Sequence, residues 1–452
     1  MRLLTLVDQL FLRLETRNQP MHVGGIFLFE LPKDAPSDFL GTLVQQMRQS
    51  KTPPSFPFNQ VLHNLLFWQT DDTFDIDHHF RHIALPQPAR MSELLTYVSQ
   101  EHGKLLNRAK PMWECHIIEG IEGTNGEINA RFAFYFKIHH SMVDGVAAMR
   151  LVKKSLSQSP NEKFSLPVWS LLTRHRNQVD ALLLEDKSLW TALKKQTASL
   201  LPVTRDLTKN LYERFDHNYS TTTQAPDSIL NQPVTSIREI SAQSFALLRF
   251  MDLSNHLNTT LNNVVLAVCS GALRRYLLEM NALPKKPLIG FVPMSLRQDD
   301  SNVGNQISFM LANLATHEAD PIKRLDTIKG SMNNGKNRFG RMNQASVLNY
   351  SAVIYSRAGM QIVTGLFPEY RAFNVVISNV PGSRQPLYWH GAKLQSLYPA
   401  SIVFNDQAIN ITFCTYEDAI EFCITACSQV LPDTKKILAY IEDELARFEA
   451  LI

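Results

Sequence analysis

Apolar positions along this chain switch between the three-to-four spacing of a helix face and the alternation of a half-buried strand, which outlines a mixed α/β molecule. Leu6, Leu10, Phe11 and Leu14 share one helical face and predict a helix from Thr5 to Thr16, with Thr5 and Asp8 as a weak capping pair. Met21 to Leu31 alternates as a strand does, and Gly24-Gly25 within it reads as a bulge. Amphipathic helices are expected over Phe39 to Met47 and Met91 to Leu106. Pro111-Met112-Trp113 introduces a strand from Glu114 to Glu119, and a second strand runs from Glu127 through Arg131 to Ile138. Val146, Met149, Val152 and Leu156 then carry the spacing of a helix that opens just after Gly145.

The pattern changes in the middle of the chain. Ser170 to Phe215 is helical in spacing and rich in lysine and arginine, and Asp216 to Ser236 is mostly polar with breakers at Pro226 and Pro233. A second half starts near Ile237. Its clearest helix is Thr260 to Met280, capped by Thr260. Leu288 to Pro293 is expected to be a buried strand, and Ser346 to Phe367 is an apolar run punctuated by Gly359 and Gly365. Phe373 to Ser378 reads as a strand feeding a turn at Asn379-Val380-Pro381-Gly382, and Pro432 to Leu451 as an amphipathic helix. The length of 452 residues exceeds what one core usually supports. Three segments are expected: a domain at 1–165, a helical crossover and loop at 166–235, and a second domain at 236–452.

Composition narrows the function classes. Apolar residues make up 44% and charged residues 19%, which is globular material with ample core. A net charge of +3 is too mild to argue for nucleic acid. Five scattered cysteines (Cys115, Cys269, Cys414, Cys423, Cys427) read as reduced core thiols of a cytosolic protein. No stretch reaches the roughly 18 apolar residues of a membrane span, and the N-terminus lacks a signal-peptide pattern. The expected location is therefore the cytoplasm, with any contact to a membrane or lipid body peripheral. The basic, leucine-punctuated crossover is the candidate surface for that contact, and a solvated linker is the alternative.

The run His139-His140-Ser141-Met142-Val143-Asp144-Gly145 holds the candidate chemistry. Imidazole is the side chain whose ordinary pKa suits a base near neutral pH. Strand parity separates the two histidines. Phe132, Phe134, Phe136 and Ile138 share a face that His140 continues, whereas His139 falls with Arg131, Ala133, Tyr135 and Lys137. His140 is thus expected to reach an enclosed apolar space and His139 to brace the loop. The alternative is a pair of structural histidines capping a strand. Metal ligation is disfavoured, because adjacent residues on a strand diverge and no further His/Cys cluster sits nearby in the sequence.

The same run resembles the HHxxxDG motif of the coenzyme-A-dependent acyltransferase superfamily. Pro20-Met21-His22-Val23-Gly24-Gly25, Pro111-Met112-Trp113, Leu261-Asn262-Asn263-Val264-Val265, Val292-Pro293-Met294-Ser295-Leu296-Arg297 and Asn374 to Gly382 follow in order. Together they resemble the bacterial wax ester synthase/diacylglycerol acyltransferase family over nearly the whole chain. Two positions depart from the family pattern: Met112 replaces a leucine, and Asn263 stands where an aspartate is usual.

The resemblance implies two chloramphenicol-acetyltransferase-like domains with a tunnel between them. It implies acyl-CoA as donor, a long-chain alcohol or diacylglycerol as acceptor, and no other cofactor. His140 would be the general base, with His139, Asp144 and Gly145 completing the motif. Asp144 would pair with Arg297 to fix the loop, and Gly145 would permit the turn into the following helix. Trp113, Asn262, Ser378, Asn379, Gly359 and Met360 are candidate substrate-binding residues, and Pro381 and Gly382 candidate supports. No GxSxG nucleophile occurs, in agreement with direct transfer. Two alternatives stay open here: a carrier-dependent condensation enzyme, and a non-catalytic lipid-binding or lipid-body protein.

Overall fold

The computed structural model describes residues 2–452 except 5, 51, 65, 124–125, 128–129, 144, 163–165, 172–224, 296–306 and 341–370. Its first half runs β1 (Arg2–Leu3), α1 (Leu6–Leu14), β2 (His22–Glu30), α2 (Phe39–Arg48), β3 (Gln60–His63), β4 (Phe67–Thr70), α3 (Ile76–His79), β5 (Phe80–Ala89), α4 (Met91–His102), β6 (Trp113–Ile121), β7 (Arg131–His139) and α5 (Gly145–Lys154). The second half runs β8 (Glu239–Ala246), α6 (Leu247–His256), α7 (Leu261–Glu279), β9 (Ile289–Ser295), β10 (Ile307–Asn313), α8 (Pro321–Gly340), β11 (Val375–Ser383), β12 (Tyr388–Trp389), β13 (Ala392–Ala400), β14 (Ile409–Tyr416), β15 (Ala419–Ala426) and α9 (Lys436–Glu449).

Two six-stranded sheets with flanking helices make up the molecule, with strand orders β12-β13-β2-β7-β6-β5 and β10-β9-β11-β14-β15-β8. A small sheet β1-β4-β3 stands beside the first. Each large sheet mixes parallel and antiparallel pairs: β5 runs parallel to β6, and β11 runs parallel to both β9 and β14. The halves exchange a strand. β13 lies between β11 and β14 in sequence, yet it pairs antiparallel with β2 from Lys393↔Glu30 to Ala400↔Gly24. Sequence position and sheet membership therefore part company here.

The second sheet packs against α7, the most enclosed of the described helices. Thr260 caps α7 by accepting from the Asn263 amide, and its residues from Asn263 to Leu273 are all buried. Arg324 on α8 pairs with Glu444 on α9 across Gly271, where a Cβ would collide with both side chains. All five cysteines are free and buried. No helix among the described residues is long and apolar enough to cross a membrane.

The expected elements around the histidine motif are present, with shifted ends. The helix expected to reach Leu106 stops at His102, the strand expected from Glu127 begins at Arg131, and the last helix begins at Lys436. Two local readings are corrected. Gly24-Gly25 is no bulge, because β2 and β7 pair without interruption from His22↔His139 to Glu30↔Arg131. The glycines serve close packing instead: a Cβ on Gly24 would come within 3.0 Å of the Phe136 carbonyl, and one on Gly25 within 2.9 Å of the Phe27 ring. Asn379 to Gly382 is no turn either. It lies inside β11, whose register to β14 shifts between Val380 and Ser383. Gly382 is needed at that shift, since a Cβ there would collide with the Thr415 carbonyl. The basic crossover falls almost wholly at 172–224, and with the Ser346 to Phe367 run it lies outside the described residues.

Candidate active site

The site begins with the pleat of β7. Phe136 and Ile138 point to one face of the strand and His140 follows on that side, and all three line a cavity of about 240 Å³ between the two sheets. The His140 amide donates to the Met21 carbonyl at 2.9 Å, which ties the residue after β7 to the residue before β2. α1 closes the cavity from above with Leu10, Phe11 and Leu14. The Phe11 ring lies on the His140 imidazole, with centroids 4.1 Å apart and planes 19° from parallel.

His139 goes the other way and is fully buried. The Ser141 amide donates to its Nδ1 at 3.1 Å, with Ser141 Oγ at 2.7 Å from the same nitrogen. A neutral ring that accepts at Nδ1 carries its proton on Nε2, and that atom stands 3.2 Å from Glu15 Oε2. Glu15 ends α1 and is a junction: its Oε1 accepts from Arg108 Nε at 3.0 Å, and its Oε2 from the Met21 amide at 3.1 Å. Arg108 also donates to the Leu12 carbonyl at 2.7 Å. Burial alone would raise the Glu15 carboxyl, but His139, the Met21 amide and Arg108 outweigh it and hold the pKa below the usual carboxylate value. One carboxylate thus fixes α1, β2 and His139 together.

The remaining cavity wall comes from both halves. α5 contributes Gly145, Ala148, Met149 and Val152 on one helical face, β11 contributes Ser378, Asn379 and Val380, and β14 contributes Asn410 and Thr412. Apolar side chains dominate. Among the described residues lining the cavity, His140 is the only ionisable side chain. Across the cleft, Lys153 Nζ donates to the Gly382 carbonyl at 2.6 Å and joins α5 to β11.

The sequence candidates separate accordingly. His140, Gly145, Ser378 and Asn379 meet at the cavity, with His139 immediately behind them. Gly145 does not need a glycine-only backbone. It has no positive φ, and a Cβ built on it meets nothing within 4 Å. Gly145 lines the same cavity as His140, with open space where a Cβ would stand. Pro381 is exposed, and Gly382 supports the site through Lys153. Trp113 does not line the cavity: it is buried, donates from Nε1 to the Phe58 carbonyl at 2.8 Å, and stacks on His79 and Trp169. Asn262 sits half-buried in the first turn of α7 and is also absent from the cavity wall. Asp144, Arg297, Gly359 and Met360 lie outside the described residues.

Sequence reasoning passed over Phe11 and Glu15. Phe11 was placed on the apolar face of the first helix, and Glu15 follows it by one helical turn on the same face. An acid on an apolar face was the available signal.

A second polar cluster lies behind the sheet. Glu101, Glu114 and His116 bring one potential metal-ligating atom each within 4.8 Å of one another. Lys137 Nζ stands 3.5 Å from Glu114, and Arg81 stands 3.6 Å from both carboxylates. Burial would raise the Glu114 carboxyl, yet His116, Lys137 and Arg81 bring it down to about 2. The carboxylates already have Lys137 and Arg81 beside them as counter-ions, so this donor set fits an ion network better than a metal centre.

A family model described as the wax ester synthase/diacylglycerol acyltransferase catalytic domain matches residues 4–265, and one described as the WS/DGAT C-terminal domain matches residues 303–449. An O-acyltransferase WSD from Acinetobacter baylyi is 51% identical, covering 100% of this chain and 98% of its own. A putative diacylglycerol O-acyltransferase from Mycobacterium tuberculosis is 37% identical over 99% of both chains. Among solved structures, a wax ester synthase/diacylglycerol acyltransferase from Marinobacter aquaeolei VT8 superposes with a TM-score of 0.77 at 39% identity, covering 99% of each chain. The starter condensation domain of rhizomide synthetase, solved with C8-CoA and Leu-SNAC, shares the fold at 12% identity with a TM-score of 0.57, covering 99% of this chain and 93% of that one.

The Glu15 junction makes a testable demand on stability. Glu15→Gln keeps the shape and removes the charge, and it is expected to cost on the order of 3 kcal/mol, the lower end for a broken buried pair because Arg108 is partly exposed. The sign in pH follows from the depressed carboxyl. Its contribution is present above the ordinary carboxylate pKa and is lost as pH falls through the depressed value. Thermal unfolding of both proteins across pH checks this: the gap in Tm should be widest near neutrality and narrow towards acid.

Proposed function

Because this chain belongs to the wax ester synthase/diacylglycerol acyltransferase family, we propose that it transfers a long-chain acyl group from acyl-CoA to a fatty alcohol or to diacylglycerol, with His140 as general base. The observation that carries this reading is the position of His140, the one ionisable side chain among the described residues that line an apolar cavity between the sheets. Such a cavity suits a lipid chain and a water-sensitive thioester, and it leaves one side chain to handle the proton.

The chemistry needs one proton to travel. His140 takes it from the acceptor hydroxyl as the oxygen attacks the thioester carbon. The carbonyl oxygen becomes an oxyanion, and α5, which opens on the cavity at Gly145, offers its first-turn amides to it. Collapse of the intermediate breaks the carbon–sulfur bond, and the imidazolium returns the proton to the CoA sulfur. The products are an ester and free CoA, without a covalent enzyme intermediate. His139, held between Ser141 and Glu15, keeps the strand end in place and does not touch the acceptor. No metal or further cofactor takes part in this scheme.

Purified protein with palmitoyl-CoA, hexadecanol and a thiol reagent tests the reading: CoA should be released only when alcohol is present, and EDTA should leave the rate unchanged. His140→Ala should lower transfer by about 10²–10⁴-fold at unchanged Tm, the range for loss of a general base. His139→Ala should lower Tm and reduce transfer less. Equal losses at equal Tm would contradict the division of roles.

Gly145→Ala should leave Tm unchanged or slightly higher, since alanine is the better helix former. Transfer should nevertheless fall, and more steeply for diacylglycerol than for hexadecanol, because the added methyl enters the space beside His140. Equal kcat/KM ratios for the two acceptors before and after the change would remove that role for Gly145.

We also propose that the protein meets its apolar acceptors at an anionic lipid surface through the basic crossover that includes Lys194 and Lys195. Vesicle flotation is expected to show binding to anionic but not neutral lipid, weaker in salt and after Lys194→Glu with Lys195→Glu. Absence of binding to either vesicle would leave the crossover as a solvated linker.

A further inference from the structure

A half-buried base among apolar walls faces a physical difficulty: taking a proton makes it a cation where its surroundings solvate charge poorly. Every neighbour that stabilises the imidazolium more than the neutral ring therefore lowers the barrier. Phe11 is placed to be such a neighbour. Its ring face covers the His140 ring face at 4.1 Å between centroids and 19° between planes, well inside the reach of a cation–π interaction. Leu10 and Leu14 share its helix and line the same cavity, yet they offer no quadrupole.

Among the described residues lining the cavity, none besides His140 is ionisable. His139, on the neighbouring position, turns to Glu15 and Ser141. Glu15 is engaged by Arg108 and the Met21 amide on the far side of the strand end. The polar positions of the opposite wall, Ser378, Asn379, Asn410 and Thr412, are neutral. Phe11 is itself held in place, because its helix is pinned at Glu15 one turn later.

Resting on His140 as the base, we propose that Phe11 is a positioning residue for the acyl transfer. It fixes the plane of the His140 ring and favours the imidazolium that forms while the acceptor proton is in transit. The aromatic ring raises the basicity of His140, so its removal should move the base limb of the rate profile to lower pH.

The test is the pH dependence of kcat for palmitoyl-CoA and hexadecanol in wild type, Phe11→Leu, Phe11→Tyr and His140→Ala. Phe11→Leu is expected to lower kcat by about 3- to 30-fold, the range of one cation–π contact in a desolvated site. The apparent pKa of the base limb should fall by about half to one unit, and KM for acyl-CoA should stay close to wild type. Phe11→Tyr, which keeps the ring, should hold the limb at the wild-type position. Where leucine lowers Tm, Phe11→Met, also without a ring, carries the same readout.

An unmoved limb in both ringless variants, or a loss confined to KM, would overturn the proposal and leave Phe11 as cavity wall. Full activity in His140→Ala would instead overturn the assignment of the base.

Discussion

The pleat of β7 sends neighbouring side chains to opposite faces, and that constraint commits two adjacent histidines to opposite environments. On one face Phe132, Phe134, Phe136 and Ile138 build an apolar wall that His140 continues. On the other, Tyr135, Lys137 and His139 enter a buried polar layer with Glu101, Glu114, His102 and Glu15. Lys137, Arg81 and His139 set cations or N–H groups against Glu114, Glu101 and Glu15 in that layer, so its charge stabilises position more than it contributes net energy. A one-residue slip of β7 would exchange the faces and put Lys137 into the cavity. The continuous nine-pair register with β2 excludes it.

The cavity exists because the two halves interlock without merging. β13 carries a strand of the second half into the first sheet, and its Pro399 and Ala400 line the space it helps to enclose. α5 does the reverse, reaching from the first half to β11 through Lys153 and the Gly382 carbonyl. Small residues decide what remains open between them. Gly25 has an ordinary strand position but could not carry a Cβ without moving the Phe27 ring, whereas Gly145 could carry one freely. The first glycine answers to packing and the second opens on the cavity, although sequence alone presents them as the same residue.

Much of this was legible in the sequence where local rules governed. The helix around Leu6 to Leu14, the strand leading to the histidines, the parity that separates His139 from His140 and the Thr260 cap all follow from periodicity and capping. The resemblance added the family that the comparisons then showed. What escaped was non-local. β14, buried on both faces from Ile409 to Phe413, has no alternation to read, and β5 carries prolines that argue against a strand. The turn assigned to Asn379–Gly382 followed correct turn chemistry, but the approach of the Thr415 carbonyl uses that glycine inside a strand. Trp113 and Glu15 show the same limit. Nothing local says that the tryptophan stacks on His79 and Trp169, or that the acid meets a histidine 124 residues away in the chain.

Separating charge by one strand thickness has a consequence for catalysis. A base that must be neutral before the reaction and cationic during it works best where no fixed charge biases either state strongly and no water competes for the proton. The apolar face of β7 gives His140 mostly apolar neighbours, while the polar face supplies the rigidity. Glu15 connects the two, because it grips His139 from behind while ending the helix that lays Phe11 over His140. Glu15 therefore acts on His140 through geometry, by holding its neighbours, while the Phe11 ring and the helix that opens at Gly145 face the cavity itself. In the proposed reaction the base is held by an ion pair on the opposite face of its strand, and the alternation of that single strand is what puts His140 on the cavity side and His139 with Glu15 on the other.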